Sequence, residues 1–251
     1  MNFKQDFDSF AAGSGFSFSS CGNTFLFEGG MLSVELVPLG EGACFTPCGA
    51  PGTIYLFEDR WFTSKDLIIK RIYAKLGKSG SIYARDCTVR RIDSPTADAF
   101  LAENHSYGAA KARYKYGMFE LGCLVAVATF SAPRSIPRSF TDGSSATLKS
   151  YEWVRYASLA GTTVAGGMGK MMAAFVEDVH PEEIMSYADL EWSEGEVYPT
   201  LGFTWAGRRD PVTFWVDPAS YKRNRVPPGL EIRNAGSVKY LRNFLGKEYM
   251  L

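Results

Sequence analysis

The chain has 251 residues, balances 27 basic against 27 acidic side chains, and is 46% apolar, which suits a folded protein with a sizeable core and excludes a disordered chain. No apolar run is long enough to cross a bilayer, and "MNFKQDFDSF" lacks the basic-then-apolar layout of a secretory signal, so a cytoplasmic protein is expected. Five cysteines, an odd count, argue against a disulfide framework, and two histidines with a lone "CFTPC" pair leave no ligand set for a zinc site.

The zero net charge conceals segregation. Residues 1–59 carry seven acids against Lys4, 60–91 carry nine Lys or Arg against Asp66 and Asp86, and 177–196 hold eight acids and no Lys or Arg. From 219 onward the balance is basic again, seven against two. Such blocks are solvated faces or, where basic, phosphate-binding surfaces for DNA.

In chain order, the first 58 residues read as short strands between glycine turns, with "MLSVELVPLG" and "TIYLFE" the clearest. "TSKDLIIKRIYAKLG" predicts a helix capped by Thr63 or Ser64, with Leu67, Ile68, Ile72 and Leu76 on one face and Gly77 as its stop. "SIYARDCTVRRID" predicts a strand, and "SPTADAFLAEN" a short helix. "YKYGMFELG" and "CLVAVATFSAP" form a hairpin through Gly122, and "SYEWVRYASLA" a strand with Glu152, Val154 and Tyr156 on one side. A helix with Met168, Met171, Met172, Phe175, Val176 and Val179 on one face follows. Then come the strand "EIMSYADL", a short helix in "SEGEVYPTLGF", and a closing hairpin in "FTWAGRRDPVTFWVD". The order predicts an α+β fold with a mixed central sheet flanked by helices and an N-terminal, mainly β extension. It divides as 1–83, 84–218 and a basic tail at 219–251.

"TTVAGGMGKMM" places Gly166, Gly167 and Gly169 where the methionine helix begins. Each glycine disfavours helix by about 1 kcal/mol relative to alanine. A helix N-terminus, however, offers free N–H groups and partial positive charge to an anion, and glycine keeps Cβ atoms out of its way. A phosphate grip with Lys170 adding charge, and a turn that merely permits tight packing, both fit. The sequence is neither a Walker loop nor a dinucleotide fingerprint. The methionine stripe reads as core.

"VAGGMGKMM", followed about thirty residues on by "YPTLGF", resembles the GNAT acyltransferase superfamily over roughly residues 84–217. The resemblance implies acetyl-CoA or another acyl-CoA as cofactor. It implies that Val164, Ala165, Gly166, Gly167, Met168, Gly169 and Lys170 form the pyrophosphate turn, and that Tyr198 is the acid that protonates the departing thiolate. The chain departs from the family pattern at Val164, where Gln or Arg is usual, and in lacking the Asn that commonly precedes the tyrosine helix. "NHSYG", "YEWVRYAS" and "SYADLEWSEGEVY" further resemble the phage branch that includes the Mom type of DNA-modifying enzyme. The run from Tyr55 to Ile92 is similar to the junction of homing-endonuclease-like fusions in that branch, without an evident nuclease carboxylate cluster.

By that resemblance His105, Asp189 and Tyr198 are the candidate catalytic residues, with Glu152 and Arg155 as supporting charges. His105, Asp189 and Glu152 all remain candidates for the base. In a regular strand Glu152 and Arg155, three apart, face opposite sides, so both can line one cleft only across a bulge. The expected function is acyl transfer to a nucleobase amine in DNA held by segments 60–91 and 219–247. Transfer to a small-molecule or protein amine is the alternative, and a non-catalytic DNA-binding module a third reading.

Overall fold

The computed structural model describes residues 2–250. In chain order it contains α1 (Phe3–Gly13), β1 (Phe18–Cys21), β2 (Thr24–Phe27), β3 (Leu32–Val37), β4 (Ile54–Phe57) and α2 (Glu58–Lys75). Next come β5 (Gly80–Tyr83), β6 (Thr88–Arg91), α3 (Ser94–Asn104), β7 (Tyr114–Glu120), β8 (Cys123–Phe130), β9 (Arg134–Ser139) and β10 (Ser145–Ser158). After these are β11 (Thr162–Ala165), α4 (Gly167–Val179), β12 (Glu183–Asp189), α5 (Val197–Thr200) and β13 (Thr204–Arg209). The last strands are β14 (Thr213–Val216), β15 (Arg223–Asn224), β16 (Leu230–Arg233) and β17 (Ser237–Asn243).

These elements form two compact units, both discontinuous in sequence. One comprises Met1–Leu76, Ala188–Gly195 and Arg208–Val238, the other Gly77–Tyr187, Glu196–Gly207 and Lys239–Leu251. The three consecutive blocks expected from the sequence are therefore replaced by interleaved ones, because late strands and loops return to complete early cores.

In the first unit, β1 to β4 make a sheet in chain order, antiparallel except for the parallel β3–β4 pair. Residues 3–13, expected as extended, are helical. Asn2 and Gln5 form a capping box, and Phe3, Phe7 and Ala11 put one buried face on the sheet. Phe7 meets Phe25 edge-on at 4.8 Å and Trp61 at 5.1 Å, the centre of the core. The Trp61 indole donates to Asp6 at 2.8 Å, and Lys65 pairs with the same carboxylate at 2.6 Å. α2 begins at Glu58, ahead of both expected caps, Thr63 and Ser64. Ser64, read as an N-cap, is instead a kink inside the helix (φ −145°, ψ 33°), and Gly77 (φ 77°) ends it.

"FTWAGRRDPVTFWVD" is not a hairpin. β13 lies beside β17 in the large sheet, whereas β14 pairs with β15 and β16 in a three-stranded one. Residues 219–251 are accordingly not a tail. Two of their strands finish the first unit, and Phe140 bridges Tyr249 in the second.

The second unit is an eight-stranded mixed sheet in the order β13-β17-β12-β10-β8-β7-β6, with β9 paired to β10. α3 covers one face, setting Ala97, Phe100 and Leu101 on Val127 and Ala157. α4 covers the other, where Phe175 stacks on Phe130 at 3.9 Å and is ringed by Tyr114, Tyr116 and Tyr151. This is the α+β arrangement expected, a mixed sheet flanked by helices, and Met171 and Met172 are core. "SIYARDCTVRRID" is two strands rather than one, with a 3-10 turn at Ala84–Asp86 between β5 and β6.

Candidate active site at the parted strands of the second unit

The glycine turn connects β11, which runs parallel to β5, with α4. Gly166 is the N-cap in the left-handed region (φ 76°) and is exposed. A Cβ there meets only Ala84 Cβ, at 3.7 Å, so the turn stays open at its tip. Gly167 is glycine for another reason: a Cβ would collide with the Tyr156 hydroxyl and press on Val164 at 3.1 Å. Gly169 has ordinary room, with Leu201 Cδ2 at 3.5 Å from its Cβ position. Val164 is buried, Ala165 exposed and Met168 half-buried. The first backbone bond of the helix runs from Lys170 N–H to Gly166 O, which leaves the amides of Gly167, Met168 and Gly169 without an intrahelical acceptor.

The Lys170 ammonium is engaged beside this turn. Its ammonium donates to Ala84 O at 2.8 Å and to Cys87 O, tying the 3-10 turn between β5 and β6 to α4. The cation that turn does offer is Arg85, 77% exposed and stacked on Tyr83. Arg85 follows Ala84, the neighbour of Gly166.

β10 carries the bulge that would let Glu152 and Arg155 share a side. Trp153 pairs with Phe130 and Arg155 with Thr129, so Val154 is the extra residue. Before it, Tyr151 packs on Phe175 and Trp153 on Phe130; after it, Tyr156 meets α4 and Ala157 meets α3. Glu152 and Arg155 thus both fall on the α3 side. The expected face shared by Glu152, Val154 and Tyr156 does not exist, since the bulge resets the alternation.

The parallel pairing of β10 with β12 is brief: Ser150, Tyr151 and Glu152 match Glu183, Ile184 and Met185. Beyond these residues the two strands part. The carbonyl of Trp153, the first residue past the ladder, accepts from the Ser186 hydroxyl at 3.1 Å, and Ser186 Oγ lies 2.8 Å from Tyr198 Oη. The phenol is thus two hydrogen bonds from the stretch of β10 that pairs with β8 but no longer with β12. Its ring stacks on Tyr240 at 4.7 Å and meets Phe203 edge-on. Tyr198 is buried, with Tyr187 O 3.4 Å from its hydroxyl. Burial raises the phenol above its ordinary range, and the bond with Ser186 pulls the other way.

The other expected catalytic residues are dispersed. His105 caps the C-terminus of α3, and its Nδ1 accepts from Tyr107 N–H at 3.1 Å. Arg155 joins the same loop, donating to Gly108 O and lying 5.8 Å from the Tyr107 ring centre. Glu152 pairs with Arg134 at 2.6 Å. Asp189 belongs to the first unit, where it accepts the Glu191 N–H at 3.0 Å. The structure therefore gathers His105 with Arg155, and Tyr198 with Ser186.

The basic segments are divided between the units, and many of their charges are taken. Lys65 pairs with Asp6, Arg71 stacks on Trp192, and Arg91 holds Asp178. In the C-terminal segment Arg223 is buried between Asp59 and Glu191, Arg242 donates to Leu201 O, and Lys247 pairs with Asp142. Among the described residues no helix is long and apolar enough to cross a membrane, and no group of three His, Cys, Asp or Glu is placed to hold a metal.

Sequence reasoning overlooked Ser186 and Tyr156. Ser186 had a signal, a small hydroxyl in the middle of the apolar strand "EIMSYAD". Tyr156 had none, since only the fold brings it to Gly167.

No protein-family model matches the chain, and no curated protein matches it. Among solved structures it is similar to a GNAT family acetyltransferase from Elizabethkingia anophelis with acetyl-CoA bound. The identity is 11%, over 63% of this chain and 99% of that one, with a TM-score of 0.42. It is also similar to the ribosomal-protein-S18-alanine N-acetyltransferase of Escherichia coli (11% identity, 62% and 93% covered, TM-score 0.41). An acetyltransferase from Salmonella typhimurium with acetyl-CoA gives 13% identity, 64% and 95% coverage and a TM-score of 0.41.

Proposed function

We propose that the second unit is an acyl-CoA-dependent N-acyltransferase. The observation that carries the reading is the parting of β10 from β12 beside the Tyr198 hydroxyl. An unpaired strand edge can take an extended amide-bearing chain as an added strand. The residues present suit the cofactor. The amides of Gly167, Met168 and Gly169, with the open tip at Gly166 and the exposed Arg85, would hold its diphosphate. The acyl-CoA supplies an activated acyl carbon and a thiolate leaving group. The chain's part is to orient it and to keep a proton on Tyr198 Oη, whose burial disfavours the phenolate.

For the acceptor, the finer reading is a nucleobase amine in DNA. The observation favouring it is the cluster of His105, Tyr107 and Arg155, an aromatic and a cation suited to stacking a planar base extruded from the helix. The paired state of much of segments 60–91 and 219–247 favours the alternative, a small-molecule or protein amine.

The test is thiol release from acetyl-CoA in the presence of duplex DNA, single-stranded DNA, free amines or peptides, with mass spectrometry of the acceptor. We expect Tyr198→Phe to keep CoA affinity within about twofold and to cut turnover by about 100-fold or more. Full turnover in that variant removes the phenol from the mechanism. Acylation of peptides or free amines but not DNA replaces the acceptor reading. No CoA binding at all leaves the DNA-binding module.

A further inference from the structure

Ser186 has one proton and two oxygen neighbours, and its surroundings fix which neighbour receives it. The residue is 3% exposed in the middle of β12, between Met185 and Tyr187. A buried hydroxyl without partners is costly, so its bonds are structural commitments rather than incidental contacts. One neighbour, the Trp153 carbonyl at 3.1 Å, can only accept. The Ser186 proton therefore goes to Trp153 O. The 2.8 Å contact with Tyr198 then runs the other way, with the phenol donating to Ser186 Oγ in preference to its longer alternative, Tyr187 O at 3.4 Å. The order of donation is Tyr198 to Ser186 to the Trp153 carbonyl.

The Tyr198 ring cannot swing to make other bonds. Tyr240 lies parallel to it at 4.7 Å, with 17° between planes, and Phe203 closes its edge at 5.4 Å. What remains free is rotation about the two C–O bonds. Burial opposes a charge on the phenol oxygen, and among the side chains around it Ser186 is the one whose hydrogen bond favours that charge.

We propose that Ser186 is the positioning residue of Tyr198, holding the phenol proton in the resting site and turning its own O–H onto the phenolate oxygen once that proton has left. The inference rests on the acyltransferase reading. The balance is as follows. The Tyr198 O–H bond breaks and its proton passes to the leaving sulfur, while the C–S bond breaks and the C–N bond forms. The surplus proton of the acceptor amine restores the phenol. The covalent O–H bond of Ser186 stays intact and changes only its acceptor, from Trp153 O to Tyr198 Oη.

The experiment uses the full chain and two readouts. The first is the tyrosinate absorbance titration of Tyr198, obtained by subtracting the Tyr198→Phe protein in each background. Ser186→Ala removes the donor and is expected to shift the Tyr198 titration upward by about one pH unit, a tenfold change. Ser186→Thr, which keeps the hydroxyl, restores it and serves as the second variant if the alanine protein does not fold. The second readout is turnover, where Ser186→Ala is expected to lower kcat about tenfold with KM for the acyl donor unchanged. A Tyr198 titration that stays put in Ser186→Ala overturns the inference, whatever the turnover. A titration that shifts as expected, in a wild-type protein that releases no thiol from any acyl donor, overturns the acyltransferase reading and with it the catalytic role given to Ser186.

Discussion

Each unit buries a carboxylate against an arginine, and the two arrangements are balanced differently. In the second unit Glu183 is fully buried, takes both arms of Arg138 at 2.7 and 2.8 Å and accepts from the Tyr249 hydroxyl at 2.7 Å. In the first unit Arg223 must serve two buried acids. It holds Asp59 with two bonds, at 2.6 and 3.1 Å, and reaches Glu191 with one at 3.1 Å. Arg138 gives its bonds at 2.7 and 2.8 Å to one acid, whereas Arg223 divides its bonds between two. Burial raises Glu191 above the ordinary carboxylate range, and Arg223 offsets this only in part. Burial also acts to raise Glu183, but its hydrogen bonds, led by those from Arg138, outweigh it and hold that carboxyl below its ordinary value. Burial acts upward on both acids, and the balance of hydrogen bonds and charges around each decides the sign.

The largest effect that sharpens this contrast is removal of the shared cation. Arg223→Ala leaves Asp59 and Glu191, both 1% exposed, without their common partner, and should cost about 3–5 kcal/mol. Urea unfolding measures the total, and hydrogen exchange should place the loss in the first unit. A loss below about 1 kcal/mol would mean the triad is not held by charge.

A smaller effect tests the packing at the glycine turn. Gly167→Ala pushes a methyl onto the Tyr156 hydroxyl and should destabilise the second unit by about 1–3 kcal/mol. Tyr156→Phe in the same chain removes that oxygen and should recover most of the loss. If the double variant is no better than the single one, the crowding lies elsewhere.

The smallest effect is in pH, and its sign differs between the units. Glu183, lowered in the folded state, contributes stability that is complete above its unfolded value of about 4.3 and is lost as pH falls through its folded one. Glu191, raised in the folded state, makes the folded protein bind more protons, so stability is lost as pH rises from about 4.3 toward its folded value. Hydrogen exchange should show the second unit losing protection as pH falls below about 4.3, and the first losing it as pH rises above about 4.3. Glu191→Gln should flatten the first and Glu183→Gln the second. Parallel slopes would erase the distinction.

Much of the second unit is legible in the sequence because its signals are local. The hairpin through Gly122 follows from two apolar runs around a turn, where Leu121 and Gly122 both take positive φ. α4 follows from its apolar rhythm. The Tyr198 helix and the glycine turn could be named from "YPTLGF" and "VAGGMGKMM". The first unit is less legible. Phenylalanines at 3, 7 and 10 suit a strand by type, and only a sheet to pack on makes their helical spacing decisive. The capping signal at Thr63 and Ser64 was real in kind, but the helix starts at Glu58 and absorbs it as a kink.

The sequence by itself determined the α+β class and the helix whose first turn is rich in glycine, and it offered Tyr198 as a candidate. These rest on periodicity and on residue types whose physics acts within a few positions. The tertiary structure alone decided that residues 188–195 and 208–238 complete the first unit, that Lys170 turns to Ala84 and Cys87, and that the Ser186 and Tyr198 hydroxyls meet. Each of these is a pairing across a long stretch of chain. Which partner a buried polar group finds depends on what the fold brings within about 3 Å of it, and no local pattern encodes that distance.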